Sequence, residues 1–122
     1  MDECKICKIH SNFQAIQGLQ FENWIVRPAE IEKNCPGYHY IELKRHLTTY
    51  EEVDKVAWRE YGDILHTLTS LIYLKYIPSK IYTVSIAEAV PHLHFHMIPR
   101  YIESPIGMEY LSLALKGELP LL

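Results

Sequence analysis

The period of the hydrophobic positions changes along the chain, and the changes predict a sheet with one long helix. Alternation with a period of two is typical of a strand, and a spacing of three to four residues is typical of a helix. Strands are predicted at residues 19–27, ended by Pro28, at 38–43 after the Pro36-Gly37 turn, at 81–86, and at 92–100. Residues 4–18 are predicted to be irregular or a short helical lead-in.

The long helix is predicted between the second and third of these strands. Thr49, with Glu52 three residues later, has the pattern of a capping box. Apolar residues then keep a helical spacing up to Pro78: Val53, Ala57, Ile64, Leu68, Leu71 and Ile72. The aromatic residues Trp58, Tyr61 and Tyr73 are expected to pack in the core. The order strand, strand, long helix, strand, strand predicts an α+β fold with a mostly antiparallel sheet and one long helix packed on it.

Composition and charge exclude several classes of protein. The chain has 122 residues, 48% hydrophobic and 22% charged, with a formal net charge of −3. We expect a single domain over residues 1–122 and no general affinity for nucleic acid. The acidic start resembles no secretory signal and no segment is apolar enough for a bilayer, so we expect a cytoplasmic protein without a membrane partner.

The strongest chemical signal is the run His92, His94 and His96, in which apolar residues alternate with the histidines. On a strand, alternate side chains share one face about 7 Å apart. We therefore expect three imidazoles on one face and Leu93, Phe95 and Met97 in the core on the other. An imidazole can act as a nucleophile, a proton carrier or a metal ligand near neutral pH.

A second signal is the pair Cys4 and Cys7. Two thiolates at this spacing can bind one tetrahedral metal ion, which then needs two more ligands, and His46 and His92 are candidates. A pair of inert thiols or a redox pair would have the same sequence pattern. Cys35, beside Pro36 at a turn, is interpreted as a lone thiol.

Residues 92–100, HLHFHMIPR, resemble the signature of the histidine triad (HIT) superfamily. The Cys-x-x-Cys pair, the Pro36-Gly37 turn, the Lys44-Arg45-His46 element and the long helix come in the order seen in many HIT proteins with an N-terminal cysteine pair. The resemblance implies a HIT-like fold and a homodimer joined through the sheet.

The resemblance also implies a chemistry. In HIT enzymes the middle histidine, here His94, attacks the α-phosphorus of a nucleotide derivative and forms a nucleotidyl-histidine. The implied substrate is a nucleoside phosphoramidate or a dinucleoside polyphosphate, and the activity is that of a nucleotide hydrolase or nucleotidyl transferase. His96 is expected to donate to the phosphate or the leaving group, and His92 to belong to the triad network. In members with the cysteine pair, the first histidine resembles a zinc ligand, which implies a structural zinc on Cys4, Cys7, His46 and His92.

Departures from the HIT pattern leave a second interpretation open. Tyr38 stands where many members have His, with His39 expected on the opposite face, and Ala87-Glu88 replaces a Gly followed by Gln or Asn. Glu88 and Ala89 are expected beside the substrate with His96, although Glu88 can also be read as a surface carboxylate. The alternative is a catalytically weak HIT-fold module that binds nucleotides.

Two further hypotheses involve carboxylates. Counting back from Gly37 places Glu30 at the ribose position, and Glu32 fits almost as well. A catalytic metal centre on the three histidines would need a carboxylate that converges on them, and no such residue is evident in the sequence.

Overall fold

The computed structural model of the chain describes residues 3–13 and 18–120. In this part of the chain, five strands form one sheet in the order β1-β2-β3-β5-β4, and all neighbouring strands are antiparallel. The strands are β1 (Leu19–Gln20), β2 (Trp24–Pro28), β3 (His39–Leu43), β4 (Lys80–Val84) and β5 (His94–Arg100). The helices are α1 (Lys5–Ser11), α2 (Lys55–Lys75) and α3 (Gly107–Lys116), with short 3₁₀ helices at Ile31–Lys33 and Tyr50–Glu52. The predicted α+β class and antiparallel sheet are confirmed.

The prediction of one strand over residues 19–27 is wrong in one respect, because the segment forms a hairpin of β1 and β2. The N–H of Phe21 donates to the carbonyl of Trp24 at 2.8 Å and closes the turn. The N–H of Asn23 donates to the carboxylate of Glu60 on α2 at 2.7 Å. A contact with a distant helix therefore bends a segment whose local composition favours one continuous strand.

The predicted capping box forms, but it caps the short 3₁₀ helix and not the long helix. The carboxylate of Glu52 accepts from the N–H of Thr49 at 3.0 Å. The N-cap of α2 is Asp54, whose carboxylate accepts from the N–H of Ala57 at 2.8 Å. The helix ends before Pro78, as expected.

Helix α2 covers one face of the sheet. Its buried face joins inward-facing strand residues in one core, which contains Trp24, Val26, Ile41, Leu43, Ala57, Ile64, Leu68, Ile72, Leu93, Phe95 and Met97. Trp58 and Tyr61 pack against this core as predicted. Leu71 and Tyr73 do not, since they are 51% and 41% exposed. Each is next to Ile72 in the chain and is therefore rotated by about 100° away from the buried face. Among the described residues, no helix combines the length and apolar character needed to cross a bilayer.

The opposite face of the sheet is shared by α3 and by polar side chains. A second core, under α3, contains Tyr38, Tyr40, Ile98, Tyr110, Leu111, Ala114 and Leu119. Helix α3 lies in the tail after Arg100, where the sequence offered no motif. Beyond the edge of this core, the same face carries Glu42, His94 and His96.

A buried ion network lies beside the histidines. Glu42 is 1% exposed, and its two oxygens accept from Arg27 Nε at 2.8 Å and Nη2 at 2.7 Å. His10, near the end of α1, donates from Nε2 to the same carboxylate at 3.0 Å. Burial alone would raise the pKa of Glu42, but the bonds and charges of Arg27 and His10 outweigh it and lower this pKa to about 2.

Removal of the Arg27 side chain is expected to destabilise the protein strongly. Arg27→Ala leaves the Glu42 carboxylate buried without its main partner, which should reduce the free energy of unfolding by about 3–5 kcal/mol in urea denaturation. Arg45→Ala is the matched control, because Arg45 pairs with Asp54 at 3.4 Å on the exposed surface. Its cost should stay below about 1 kcal/mol. Equal losses in the two variants would contradict a structural role for the buried pair.

The depressed pKa of Glu42 also predicts an acid-dependent loss of stability. The unfolded carboxyl titrates near its ordinary value of 4.5 and the folded one near 2. The stabilisation is therefore fully present above about pH 4.5 and is lost as the pH falls toward 2. It amounts to about 3 kcal/mol. Urea denaturation across this range should show the slope in the wild type, and Glu42→Gln should lack that component. An unchanged slope in Glu42→Gln would refute the assignment.

Candidate active site and metal centre

The histidine run divides into two environments. His94 and His96 lie on one face of β5 with ring centroids 5.2 Å apart. The expectation that His92 joins them on a regular strand is wrong, because β5 begins only at His94. The N–H of His92 donates to the carbonyl of Val90 at 2.8 Å, so the chain turns there. The ring of His92 is fully buried and packs edge-on against His46, with 5.1 Å between centroids.

His94 is held by the backbone of His92. Its Nδ1 lies 2.6 Å from the His92 carbonyl oxygen, which can only accept. The Nδ1 of His94 therefore carries a hydrogen, and in the neutral ring Nε2 keeps its lone pair. Ser85, at the end of β4, donates its hydroxyl to the carbonyl of His94 at 2.7 Å and fixes the backbone on the other side. Ser85 was not singled out from the sequence, in which nothing marks it.

His96 is partly buried and pairs with Tyr38. The Tyr38 hydroxyl and His96 Nδ1 are 2.8 Å apart. Burial, and then the neighbouring His94 and Lys33, lower the pKa of His96 to about 4. The ring of His96 is therefore neutral near pH 7.

Four candidate metal ligands converge on one point. Ligand atoms from Cys4, Cys7, His46 and His92 all lie within 4.8 Å of one another. The Nδ1 of His92 is 3.5 Å from each cysteine sulfur and 3.3 Å from the Nδ1 of His46. The Cys7 sulfur is 3.4 Å from the Nδ1 of His46. A tetrahedron of two sulfurs and two nitrogens around zinc has edges of about 3.3–3.8 Å, so these residues fit such an ion.

The local structure positions both the cysteine ligands and the His92 ligand of this candidate centre. Cys4 is the N-cap of α1, and its sulfur accepts from the N–H of Cys7 at 3.4 Å, which brings the two sulfurs to the same end of the helix. His92 donates from Nε2 to the carbonyl of Leu43 at 2.5 Å, so its Nδ1 offers a lone pair to the cluster. Burial lowers the pKa of His92, which keeps the ring neutral as ligation requires.

The loop before β5 is more open than the triad. Glu88 and Ala89 are exposed, and no hydrogen bond in the described part of the chain joins either residue to His94 or His96. Ala87 has a φ of +54°, the left-handed conformation that favours glycine. Ala87 therefore adopts a conformation that glycine would adopt at lower cost.

The carboxylates near the triad have partners of their own. Glu30 accepts from the Tyr40 hydroxyl at 2.8 Å, and the Tyr40 ring lies 5.5 Å from that of His96. Glu32 is exposed in a 3₁₀ helix. Glu42 pairs across the strands with His94, but its oxygens are bound by Arg27 and His10. Glu42, which faces His94 across the strands, is therefore not free to ligate a catalytic metal on the triad.

A cavity of about 560 Å³ lies beside the triad and not on it. Its lining consists of Pro28, Ala29, Glu30, Ile31, Asn34, Cys35, Pro36, Gly37, Tyr38, His39 and Tyr76. Neither His94 nor His96 lines it. Tyr38 both lines the cavity and contacts His96. Cys35 is a free thiol, as interpreted from the sequence.

Comparison with known proteins gives matches only among solved structures. No family model matches the chain, and no curated protein matches it. A HIT family protein from Bacillus anthracis is 15% identical, with a TM-score of 0.71 over 98% of this chain and 99% of that one. A zinc-bound histidine triad protein from Mycobacterium smegmatis is 16% identical, with a TM-score of 0.69 over 96% and 94%. A HIT family hydrolase from Legionella pneumophila is 21% identical, with a TM-score of 0.60 over 86% and 100%. The chain therefore has the fold of the histidine triad proteins that its sequence motif resembles.

Proposed function

We propose that this chain is a HIT-type nucleotide hydrolase or nucleotidyl transferase whose nucleophile is His94. The observation that carries the proposal is the 2.6 Å contact between His94 Nδ1 and the His92 carbonyl oxygen. It leaves Nε2 unprotonated in a neutral ring, as attack on phosphorus requires. The fold shared with the Legionella pneumophila hydrolase supports the reaction class. The substrate proposed is a nucleoside phosphoramidate or a dinucleoside polyphosphate.

The proposed reaction has two steps. Nε2 of His94 forms a bond to the α-phosphorus, while the bond to the leaving group breaks and its electron pair goes to the leaving atom, which takes a proton from solvent. Water or an acceptor phosphate then attacks the same phosphorus, and the electron pair of the P–N bond returns to His94; when water attacks, it releases one proton to solvent. The His92 carbonyl stabilises the positive charge that develops on the His94 ring. His96, and Glu88 and Ala89 of the loop before β5, are proposed to face the phosphate.

We also propose that zinc occupies the centre formed by Cys4, Cys7, His46 and His92. The four protein ligands fill a tetrahedral shell, so the ion would be structural and would offer no position to substrate. Its effect on the reaction would pass through His92, whose ring is a ligand and whose carbonyl holds His94. The zinc-bound relative from Mycobacterium smegmatis supports the choice of metal.

The assembly is proposed to be a homodimer of single HIT-like domains in the cytoplasm. Strand β4 lies at an edge of the sheet described above and offers an unpaired side for a second sheet. A reducing compartment suits the free thiols of the chain.

A catalytically weak nucleotide-binding module is the second candidate. The exposed Glu88 favours it, because a carboxylate in the loop before β5 would repel an incoming phosphate.

Substitution of the nucleophile is expected to abolish the covalent intermediate. Wild-type protein mixed with adenosine phosphoramidate or a diadenosine polyphosphate should show a transient AMP adduct by intact-mass spectrometry. His94→Ala should show no adduct, and turnover should fall by about 10³-fold or more. His66→Ala, on the exposed side of α2, is the control and should behave as the wild type. Binding without adduct or released AMP in the wild type would favour the weak module.

The metal centre predicts one zinc per chain. Metal analysis of Cys7→Ser should show loss of the ion, because three ligands bind zinc more weakly than four. Cys35→Ser should keep it, since Cys35 lies away from the cluster and contacts the Pro99 carbonyl. A chelator should lower the melting temperature of the wild type but not of Cys7→Ser. Equal zinc content in both cysteine variants would refute the ligand set.

A further inference from the structure

We propose that Tyr38 is a positioning residue that fixes the tautomer of His96, so that His96 presents an Nε2–H donor to the phosphate. The catalytic meaning of this inference rests on the proposed function. The tautomer itself is a property of the protein without substrate and can be measured independently.

The direction of the hydrogen bond follows from the burial of Tyr38. The residue is 2% exposed, and its hydroxyl lies 2.8 Å from His96 Nδ1. In the described part of the chain, the Tyr38 hydroxyl has no other hydrogen-bond partner. If His96 carried its proton on Nδ1, the hydroxyl could accept that hydrogen, but its own hydrogen would then have no acceptor among the described residues. Burial also raises the pKa of Tyr38, so the phenol stays protonated and donates. The proton of neutral His96 is therefore placed on Nε2.

The turn before β3 holds Tyr38 in this position. Gly37 has a φ of +83°, and a Cβ at Gly37 would meet the Pro99 side chain at 3.2 Å. The N–H of Tyr38 donates to the Cys35 carbonyl at 3.1 Å, and its carbonyl accepts from Ala29 at 2.9 Å. The backbone is thus fixed on both sides, and the buried ring packs edge-on against Tyr40 with 5.4 Å between centroids, which restricts its rotation away from His96.

The two triad histidines on β5 thus carry opposite tautomers. His94 has its hydrogen on Nδ1, bound to the His92 carbonyl, and presents a lone pair at Nε2. His96 accepts at Nδ1 from Tyr38 and presents a hydrogen at Nε2. The rings are 5.2 Å apart, so a nucleophilic nitrogen and a hydrogen-bond donor lie side by side. The donor can stabilise negative charge on a phosphoryl oxygen, and no proton needs to leave His96.

Tyrosine is well suited to this task. A neutral imidazole can donate or accept according to its tautomer, whereas a buried phenol that accepted a hydrogen here would leave its own hydrogen unpaired, so donation is favoured. Tyr38 stands where many HIT proteins have histidine, and this substitution therefore does not by itself imply a loss of activity. It replaces a bond of variable direction by one of fixed direction.

The tautomer can be read from ring ¹⁵N NMR of the full chain, with the His96 signals assigned by their loss in His96→Gln. The wild type is expected to show His96 protonated at Nε2. In Tyr38→Phe the protonated-Nε2 fraction should fall, because both tautomers become accessible. Tyr40→Phe is the matched control, since the Tyr40 ring also packs against His96 while its hydroxyl bonds Glu30. It should leave the tautomer of His96 unchanged.

Kinetics provide the second readout. Tyr38→Phe should lower kcat in proportion to the fall in the protonated-Nε2 fraction, by about 2-fold to 5-fold, with little change in KM, because that donor acts on the transition state. Protonation of His96 at Nδ1 in the wild type would overturn the proposal even if Tyr38→Phe does not fold. An unchanged tautomer in a folded Tyr38→Phe would overturn it as well. A wild type with the Nε2–H tautomer but no AMP adduct on His94 would instead refute the proposed function.

Discussion

The buried His92 is the residue on which both the fold and the candidate site depend, because each of its polar groups is committed to a different part of the chain. Its N–H binds Val90, its Nε2–H binds Leu43 at the end of β3, and its Nδ1 faces the cysteine cluster. Its carbonyl accepts from the ring of His94. A fully buried polar residue must satisfy these groups, and in doing so it joins the N-terminal helix, β3 and β5 at one point.

Helix α1 illustrates why these long-range contacts are needed. A helix of seven residues has little stability by itself in water. It is held at its start by the cluster of Cys4 and Cys7, and near its end by His10, which binds the buried carboxylate of Glu42. The proposed metal centre and the ion network thus contact the same short segment from two sides, and both border the face of the sheet that carries His94.

Much of the fold was predictable from the sequence, since it depends on local patterns. The long helix follows from apolar spacing, the strands from alternation, and the cluster of candidate metal ligands from two cysteines with histidines of matching chemistry. The predictions fail where contacts between residues distant in the chain determine the local structure. Glu60 on α2 helps to fix the β1–β2 turn, and the turn at Val90 removes His92 from β5. Glu42 is a polar residue that alternates with apolar ones, a pattern typical of an exposed strand position. It is buried because Arg27 and His10, which lie far away in the chain, bind its carboxylate.

The hydrogen bond between the Tyr38 phenol and His96 affects the pH range over which the pair keeps one protonation state. Two imidazoles in contact would exchange between doubly, singly and unprotonated forms close to neutral pH, since each titrates there. A buried phenol loses its proton only far above that range, and the His96 ring, with its pKa near 4, gains a second one only far below it. Across the interval between them, the Tyr38–His96 pair exists in a single charge state.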